Sequence, residues 1–103
     1  MKNLTQKEWS DALSTIENAK ILDVRTPVEV EAGKIPSAHN IDILNSHVFM
    51  AEIEKLNKTV HYFVYCKAGM RSAQACAVMH QLGFEYTYNL DGGFSKWMGA
   101  VEK

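Results

Sequence analysis

The residues best suited to chemistry in this chain lie in the segment YCKAGMRSA, residues 65–73. Cys66 opens a loop of small residues that contains Gly69 and two cations, Lys67 and Arg71. The thiolate is the attacking form of cysteine, and nearby cations or a helix N-terminus lower the pKa of the thiol. Gly69 allows a tight bend and lets an anion approach the loop amides. The segment therefore predicts a cysteine nucleophile beside an anion-binding loop.

The length of this loop indicates which anion it fits. Tyrosine-phosphatase-type loops place arginine after Cys-x5, a position that Ser72 occupies here, whereas Arg71 follows Cys-x4. A shorter loop favours a smaller reacting centre, such as the outer sulfur of thiosulfate or of a persulfide, over a tetrahedral phosphate. A phosphatase-like enzyme or an arsenate reductase is thus the less favoured alternative.

Strands and helices alternate along the chain, and they must position the cysteine loop. Helices are predicted for residues 5–18, 46–56, 71–82 and 94–99, with a short one between Pro27 and Gly33, and extended segments for residues 20–24, 37–43, 59–65 and 85–90. Thr5 and Glu8 have the spacing of a capping box at the start of the first helix. Alternation of this kind predicts an α/β fold, in which a parallel sheet is covered by helices on both faces. Because the strand at 59–65 ends directly before Cys66, the cysteine is expected at the carboxyl edge of the sheet, where such sheets bind ligands.

The composition is typical of one globular domain spanning residues 1–103. A formal net charge of −1 excludes a general binder of nucleic acid or of anionic membranes. The first residues lack the apolar stretch of a secretory signal, and no run approaches the roughly 20 apolar residues that span a bilayer. We therefore expect a cytoplasmic protein in which Cys66 and Cys76 stay reduced. The histidines lack the spacing of a metal site, so no metal is expected.

Three segments of the chain, in the right order, resemble the rhodanese-like sulfurtransferases, in particular small single-domain members of the thiosulfate sulfurtransferase type. The segments are ILDVRTPVEVEAGKIPSAHNI (21–41), VYCKAGMRSAQACAVMHQLGF (64–84) and LDGGFSKW (90–97). They look like the family's Asp-Val-Arg region, its active-site loop with the following helix, and its late Gly-Gly-x-x-x-Trp turn. Lys34 and Ser37 stand where histidine and glycine are common in the family, but both lie outside the cysteine loop.

The resemblance implies a rhodanese-like three-layer sandwich whose central parallel sheet has about five strands. It also implies that Cys66 is the catalytic, sulfur-carrying nucleophile and that the loop binds the substrate anion, mostly through backbone N–H groups. The implied substrate-binding residues are Lys67, Ala68, Gly69, Met70, Arg71 and Ser72. A basic first residue in loops of this length is linked in the family with the use of thiosulfate, and Lys67 fits that pattern.

The implied reaction moves a sulfane sulfur from thiosulfate, or from another persulfide donor, to a Cys66 persulfide and then to cyanide or a thiol. The acceptor thiol can belong to a protein, and Met70 is expected to form an apolar rim where the acceptor docks. No cofactor, nucleic acid or membrane is expected to take part. Two alternatives stay open: a persulfide carrier that serves a dedicated protein partner, and a non-catalytic binding module, which the complete Cys66 loop disfavours.

Several residues outside the loop are expected to have structural roles. The resemblance suggests that Asp23 and Arg25 support the loop, with tuning of the thiolate as the minor alternative. Glu29 follows Arg25 by four residues, so we expect these two side chains to pair across one helical turn. Cys76 lies on an apolar helix face, which favours core packing over a resolving-cysteine role, and Trp97 is expected to pack inward.

Overall fold

The computed structural model, which describes residues 1–103, is a parallel sheet of five strands with helices on both faces. The strands are β1 (Lys2–Leu4), β2 (Ala19–Asp23), β3 (His39–Asn40), β4 (His61–Tyr65) and β5 (Thr87–Leu90). The helices are α1 (Gln6–Thr15), α2 (Pro27–Glu31), α3 (Ser46–Glu54), α4 (Met70–Gln81) and a 3₁₀ helix (Phe94–Lys96). The strand order is β1-β5-β4-β2-β3, so β4 lies at the centre of the sheet. The predicted α/β sandwich is confirmed.

Alternating side chains of the strands divide the core between the two faces of the sheet. On one face, Tyr62 and Val64 of β4 belong to a cluster with α3 and α4, which contribute Phe49 and Met79. On the other face, a second cluster is built around Trp9 of α1. Trp9 packs edge-to-face against Phe63 and Tyr65, with ring centroids 5.6 and 6.3 Å away. Because both faces of β4 are buried, the residue that follows it is held in a fixed position.

Two helices begin with the reciprocal hydrogen bonds of a capping box. At α1 the Glu8 amide donates to Thr5 Oγ1 over 3.2 Å, and the Thr5 amide donates to Glu8 Oε1 over 2.9 Å. At α2 the same pattern joins Thr26 and Glu29. The capping predicted from Thr5 and Glu8 is therefore confirmed, and a second box, at α2, fixes the orientation of Glu29.

The structure differs from the sequence-based expectation at both ends of the chain. Strand β1 was not predicted, because its three residues carry no apolar alternation and its identity comes from pairing with β5. The helix expected over residues 94–99 is only the short 3₁₀ turn. Trp97 follows it and is half-buried, with its ring centroid 5.7 Å from that of Trp9.

The helices of the chain are too short or too polar to cross a bilayer.

Candidate active site at the Cys66 loop

Cys66 lies between the end of β4 and the start of α4, at the carboxyl edge of the sheet. Only 1% of the residue is exposed, and both cysteines of the chain are free. Gly69 has φ of 107°, a left-handed value that suits glycine, and the chain turns there into the first residue of α4. The expected position of the cysteine, after a strand and before a helix, is confirmed.

The Cys66 sulfur accepts hydrogen bonds from the loop that surrounds it. The Gly69 amide donates to Sγ over 3.1 Å, and the Ser72 hydroxyl lies 3.3 Å from Sγ. Burial raises the pKa of the Cys66 thiol, but hydrogen bonds from the Ser72 hydroxyl and from the Ser72, Gly69 and Ala68 amides outweigh it, so the net pKa is below the ordinary value. The loop therefore favours the thiolate, which is the nucleophilic form.

The single proton of the Ser72 hydroxyl has two acceptors within reach. The Gly69 carbonyl oxygen is 3.2 Å away, and the Cys66 sulfur is 3.3 Å away. An ionised acceptor forms the stronger hydrogen bond. We therefore expect the proton to point to the sulfur when Cys66 is a thiolate and to the carbonyl when it is a thiol.

The turn that contains Gly93 packs against the cysteine loop and is hydrogen-bonded to its backbone. The Phe94 amide donates to the Cys66 carbonyl over 2.8 Å, and the Ser95 amide donates to the Lys67 carbonyl over 2.9 Å. A Cβ atom on Gly93 would lie only 2.5 Å from the Lys67 carbonyl oxygen. The backbones approach closely only because residue 93 has no side chain. The Gly-Gly-x-x-x-Trp segment was expected to form a turn, but its contact with the cysteine loop was not predicted, although paired glycines are a signal of such close approach.

Arg71 forms an ion pair with Glu29, which corrects the pairing expected from the sequence. Its Nη1 and Nη2 donate to Oε1 and Oε2 of Glu29 over 2.7 and 2.9 Å, and each side chain is 25% exposed. Arg25 does not contact Glu29 and binds Asp23 instead. Side chains four residues apart are neighbours only within a helix. Arg25 precedes α2, which begins at Pro27, so the expected pairing of Arg25 with Glu29 was wrong.

Asp23 and Arg25 form a buried network one strand away from the cysteine. Arg25 donates from Nε to Oδ1 of Asp23 over 2.9 Å and from Nη2 to Oδ2 over 2.7 Å. The Tyr65 hydroxyl donates to the same Oδ2 over 2.6 Å, and the Arg25 guanidinium stacks over the Phe94 ring at 4.4 Å. Burial and the nearby carboxylate raise the pKa of Tyr65, so it remains a donor. Neither Asp23 nor Arg25 hydrogen-bonds to the sulfur; the network supports the segments on either side of it.

All six predicted substrate-binding residues lie in this one loop and the first turn of α4. Lys67, Ala68 and Met70 are exposed, and Met70 is 83% exposed. Lys67 forms no ion pair, in contrast to Arg71. A groove of about 390 Å³ borders the loop and is lined in part by Ala68, Gly69 and Met70. The assignment of these residues to substrate binding remains a prediction.

Cys76 is fully buried in the core, on the same face of α4 as Ala75 and Met79. Burial raises the pKa of its thiol to about 12. It is therefore a neutral thiol at physiological pH. The positions of the two cysteines favour one nucleophile and one packing residue.

The parallel sheet and the cysteine loop at its carboxyl edge define a class: an α/β domain in which loop amides surround a cysteine sulfur. The chain belongs to the rhodanese-like domain family, which matches residues 5–100. Relatives in this family are named as sulfurtransferases, so the coarse expectation of a sulfurtransferase-type domain is confirmed.

Individual relatives match nearly the whole chain. A sulfurtransferase of Allochromatium vinosum is 34% identical over 97 residues, which cover 94% of this chain and 88% of the relative. The thiosulfate sulfurtransferase GlpE of Pseudoalteromonas translucida is 34% identical over 87 residues, covering 84% of this chain and 80% of the relative. The crystal structure of a rhodanese-like domain protein from Staphylococcus aureus superposes with a TM-score of 0.84 at 29% identity, covering 99% and 97% of the two chains.

Proposed function

We propose that this protein transfers a sulfane sulfur from thiosulfate, or from a persulfide donor, through a Cys66 persulfide to a thiol or cyanide acceptor. The observation that carries the proposal is the placement of donors around the sulfur, with the Gly69 amide at 3.1 Å and the Ser72 hydroxyl at 3.3 Å. Fixed donors of this kind stabilise negative charge on sulfur without reorganising during the reaction.

In the first half-reaction the Cys66 thiolate attacks the outer sulfur of thiosulfate. A bond forms between Sγ and that sulfur, the sulfur–sulfur bond of the donor breaks, and sulfite leaves with the electron pair. The total charge is unchanged, since a thiolate and a dianion become a persulfide anion and a dianion. The loop amides, which already bind charge on Sγ, are placed to hold the outer persulfide sulfur as well.

In the second half-reaction an acceptor thiolate or cyanide attacks the outer sulfur of the persulfide. The new bond forms to the acceptor, the sulfur–sulfur bond to Cys66 breaks, and the electron pair returns to Sγ. Because the thiolate is a better leaving group when its charge is stabilised, the hydrogen bonds from Gly69 and Ser72 assist this second step. In the first step they act by raising the fraction of Cys66 that is thiolate. The cycle is ping-pong, with the loaded enzyme as its intermediate.

The test is the intact mass of the protein after incubation with thiosulfate and removal of excess reagent. We expect the mass of one added sulfur atom, lost on addition of cyanide with formation of thiocyanate. Cys66→Ala should take up no sulfur, and Cys76→Ser should take up as much as the unmodified protein. Sulfur uptake that persists in Cys66→Ala would overturn the proposal.

A second candidate is a persulfide carrier that delivers sulfur to a protein thiol in the cytoplasm. It is favoured by the exposed Met70 side chain beside the loop and by the exposed Val28 next to Glu29. Apolar side chains at the rim of a site are typical of surfaces that receive a protein partner. Weak turnover with thiosulfate, with glutathione persulfide and with every small thiol acceptor, despite full loading of Cys66, would favour the carrier; rapid turnover with small thiols would exclude it.

A further inference from the structure

The ion pair between Glu29 and Arg71 controls the charge at the entrance of the cysteine loop. Both terminal nitrogens of Arg71 donate to the Glu29 carboxylate, one bond to each oxygen. Oε1 of Glu29 also accepts from the amide and the hydroxyl of Thr26, each over 3.1 Å. The hydrogen bond from Arg71 is the main cause that lowers the pKa of Glu29 to about 2. The carboxylate is therefore ionised, held from two sides, and fixed against the guanidinium.

This pairing removes most of the positive field that an arginine would otherwise give the site. An adjacent opposite charge reduces the field of Arg71 at a distance to that of a dipole. Asp42 is a second carboxylate that acts on the Arg71 guanidinium. Of the two cations nearest Cys66 in sequence, Arg71 is thus balanced by carboxylates, whereas Lys67 forms no ion pair. An approaching dianion therefore gains less from Arg71 than it would from an unpaired arginine at the same position.

We propose that Glu29 is a specificity-determining residue that makes the loop favour a thiol persulfide over a dianionic donor such as thiosulfate. The inference rests on the proposed sulfur transfer through Cys66 and adds the class of donor. A protonated persulfide, R–S–SH, presents an uncharged outer sulfur. The Cys66 thiolate forms a bond to that sulfur, the donor's sulfur–sulfur bond breaks, and R–S⁻ leaves with the electron pair. The proton stays on the transferred sulfur, so the neutral donor adds no charge to that of the Cys66 thiolate, whereas thiosulfate adds two negative charges.

Glu29→Gln separates the charge of Glu29 from its shape. Glutamine keeps the size of the side chain and, like glutamate, can accept from the Thr26 amide in a capping box. It removes the negative charge and leaves Arg71 unbalanced. Glu31→Gln is the matched control, because Glu31 is also on α2, is exposed and takes part in no ion pair. The two variants have the same net charge, so any difference between them reports the position of the charge.

The experiment measures second-order rate constants for loading Cys66 with two donors, thiosulfate and the persulfide of 2-mercaptoethanol. In Glu29→Gln we expect the ratio of the thiosulfate to the persulfide constant to rise about three- to tenfold, and the rise to shrink at high salt. Glu31→Gln should leave the ratio unchanged.

A pair of alkylating agents tests the same inference without sulfur transfer. Iodoacetate is an anion and iodoacetamide is neutral, and both react with the Cys66 thiolate. Glu29→Gln should raise the ratio of the iodoacetate to the iodoacetamide rate by a similar factor, and Glu31→Gln should not. If the unmodified protein takes up sulfur but neither ratio moves in Glu29→Gln, the role of Glu29 is wrong and the proposed function stands. If no donor loads Cys66, sulfur transfer itself fails, and with it the donor preference, whatever the alkylation ratios show about charge.

Discussion

Two arginine–carboxylate pairs flank the cysteine loop, and they differ in burial and in the number of partners. The pair of Asp23 and Arg25 has side chains that are 0% and 4% exposed, and Tyr65 and the Gly33 carbonyl complete its hydrogen bonds. The pair of Glu29 and Arg71 is 25% exposed on each side. Water can replace a lost partner in the second pair and not in the first. Similar residue types therefore serve stability in one place and adjustable electrostatics in the other.

The largest effect is expected from breaking the buried pair. Asp23→Asn leaves the Arg25 charge buried without its counter-charge, and we expect a loss of about 3–5 kcal/mol in the free energy of unfolding. Urea unfolding followed by tryptophan fluorescence measures it. Asp11→Asn is the control, because Asp11 forms an exposed pair with Lys7, and it should leave the stability nearly unchanged. Equal losses in the two variants would remove the distinction between buried and exposed pairs.

A smaller effect is expected from the hydroxyl that reaches the sulfur. Ser72→Ala removes a donor to the thiolate, so the pKa of Cys66 should rise by up to about one unit. The pH dependence of iodoacetamide alkylation gives that pKa as its midpoint. Ser95→Ala is the control, since the Ser95 hydroxyl donates to the Gly92 carbonyl and not to the sulfur. A midpoint that moves equally in both variants would show that Ser72 has no specific role in holding the thiolate.

The exposed pair should contribute less to stability than the buried one. A double-mutant cycle of Glu29→Gln and Arg71→Met should give a coupling energy of about 0.5–1 kcal/mol, the range of partly exposed pairs. Urea unfolding of the four proteins provides it. A coupling energy as large as the loss of unfolding free energy in Asp23→Asn would mean that the two pairs stabilise the fold equally, and it would contradict the difference expected from their burial.

The smallest effect is expected from the pH dependence of the contribution that the Glu29 charge makes to stability. The pKa of Glu29 is lowered to about 2 in the folded protein, so its contribution is present above the ordinary carboxyl pKa of about 4.3 and is lost as the pH falls toward 2. The difference in unfolding free energy between the unmodified protein and Glu29→Gln should therefore shrink between about pH 6 and about pH 2.5. A difference that stays constant over this range would mean that the Glu29 charge does not stabilise the fold.

Local patterns in the sequence predicted the parts of the structure that local physics determines. The apolar strand before Cys66, the capping box at Thr5 and the glycine-containing turn into the following helix were all predicted from neighbouring residues. The sheet with helices on both faces followed from their alternation. The resemblance of three ordered segments then indicated the family.

Contacts between distant residues could not be predicted in the same way. Glu29 and Arg71 are 42 residues apart, and only the folded sheet brings their segments together. Strand β1 is a strand because β5 pairs with it, and its own residues carry too little apolar alternation to show this. The approach of Gly93 to the Lys67 backbone likewise depends on the position of a turn 26 residues later in the chain. The sequence thus located the candidate cysteine, whereas the charge around it depends on tertiary contacts.

The contact between the Gly93 turn and the cysteine loop has a consequence for biosynthesis. During translation, Cys66 leaves the ribosome before Phe94 and Ser95, whose amides donate to the carbonyls of Cys66 and Lys67. Until those residues arrive, the loop lacks its support, and the amides that lower the pKa of the thiol have no fixed geometry. The newly made cysteine is therefore an ordinary thiol, protected from premature oxidation or alkylation by its low thiolate fraction. The geometry around the Cys66 sulfur is complete only after Phe94 and Ser95 have been made.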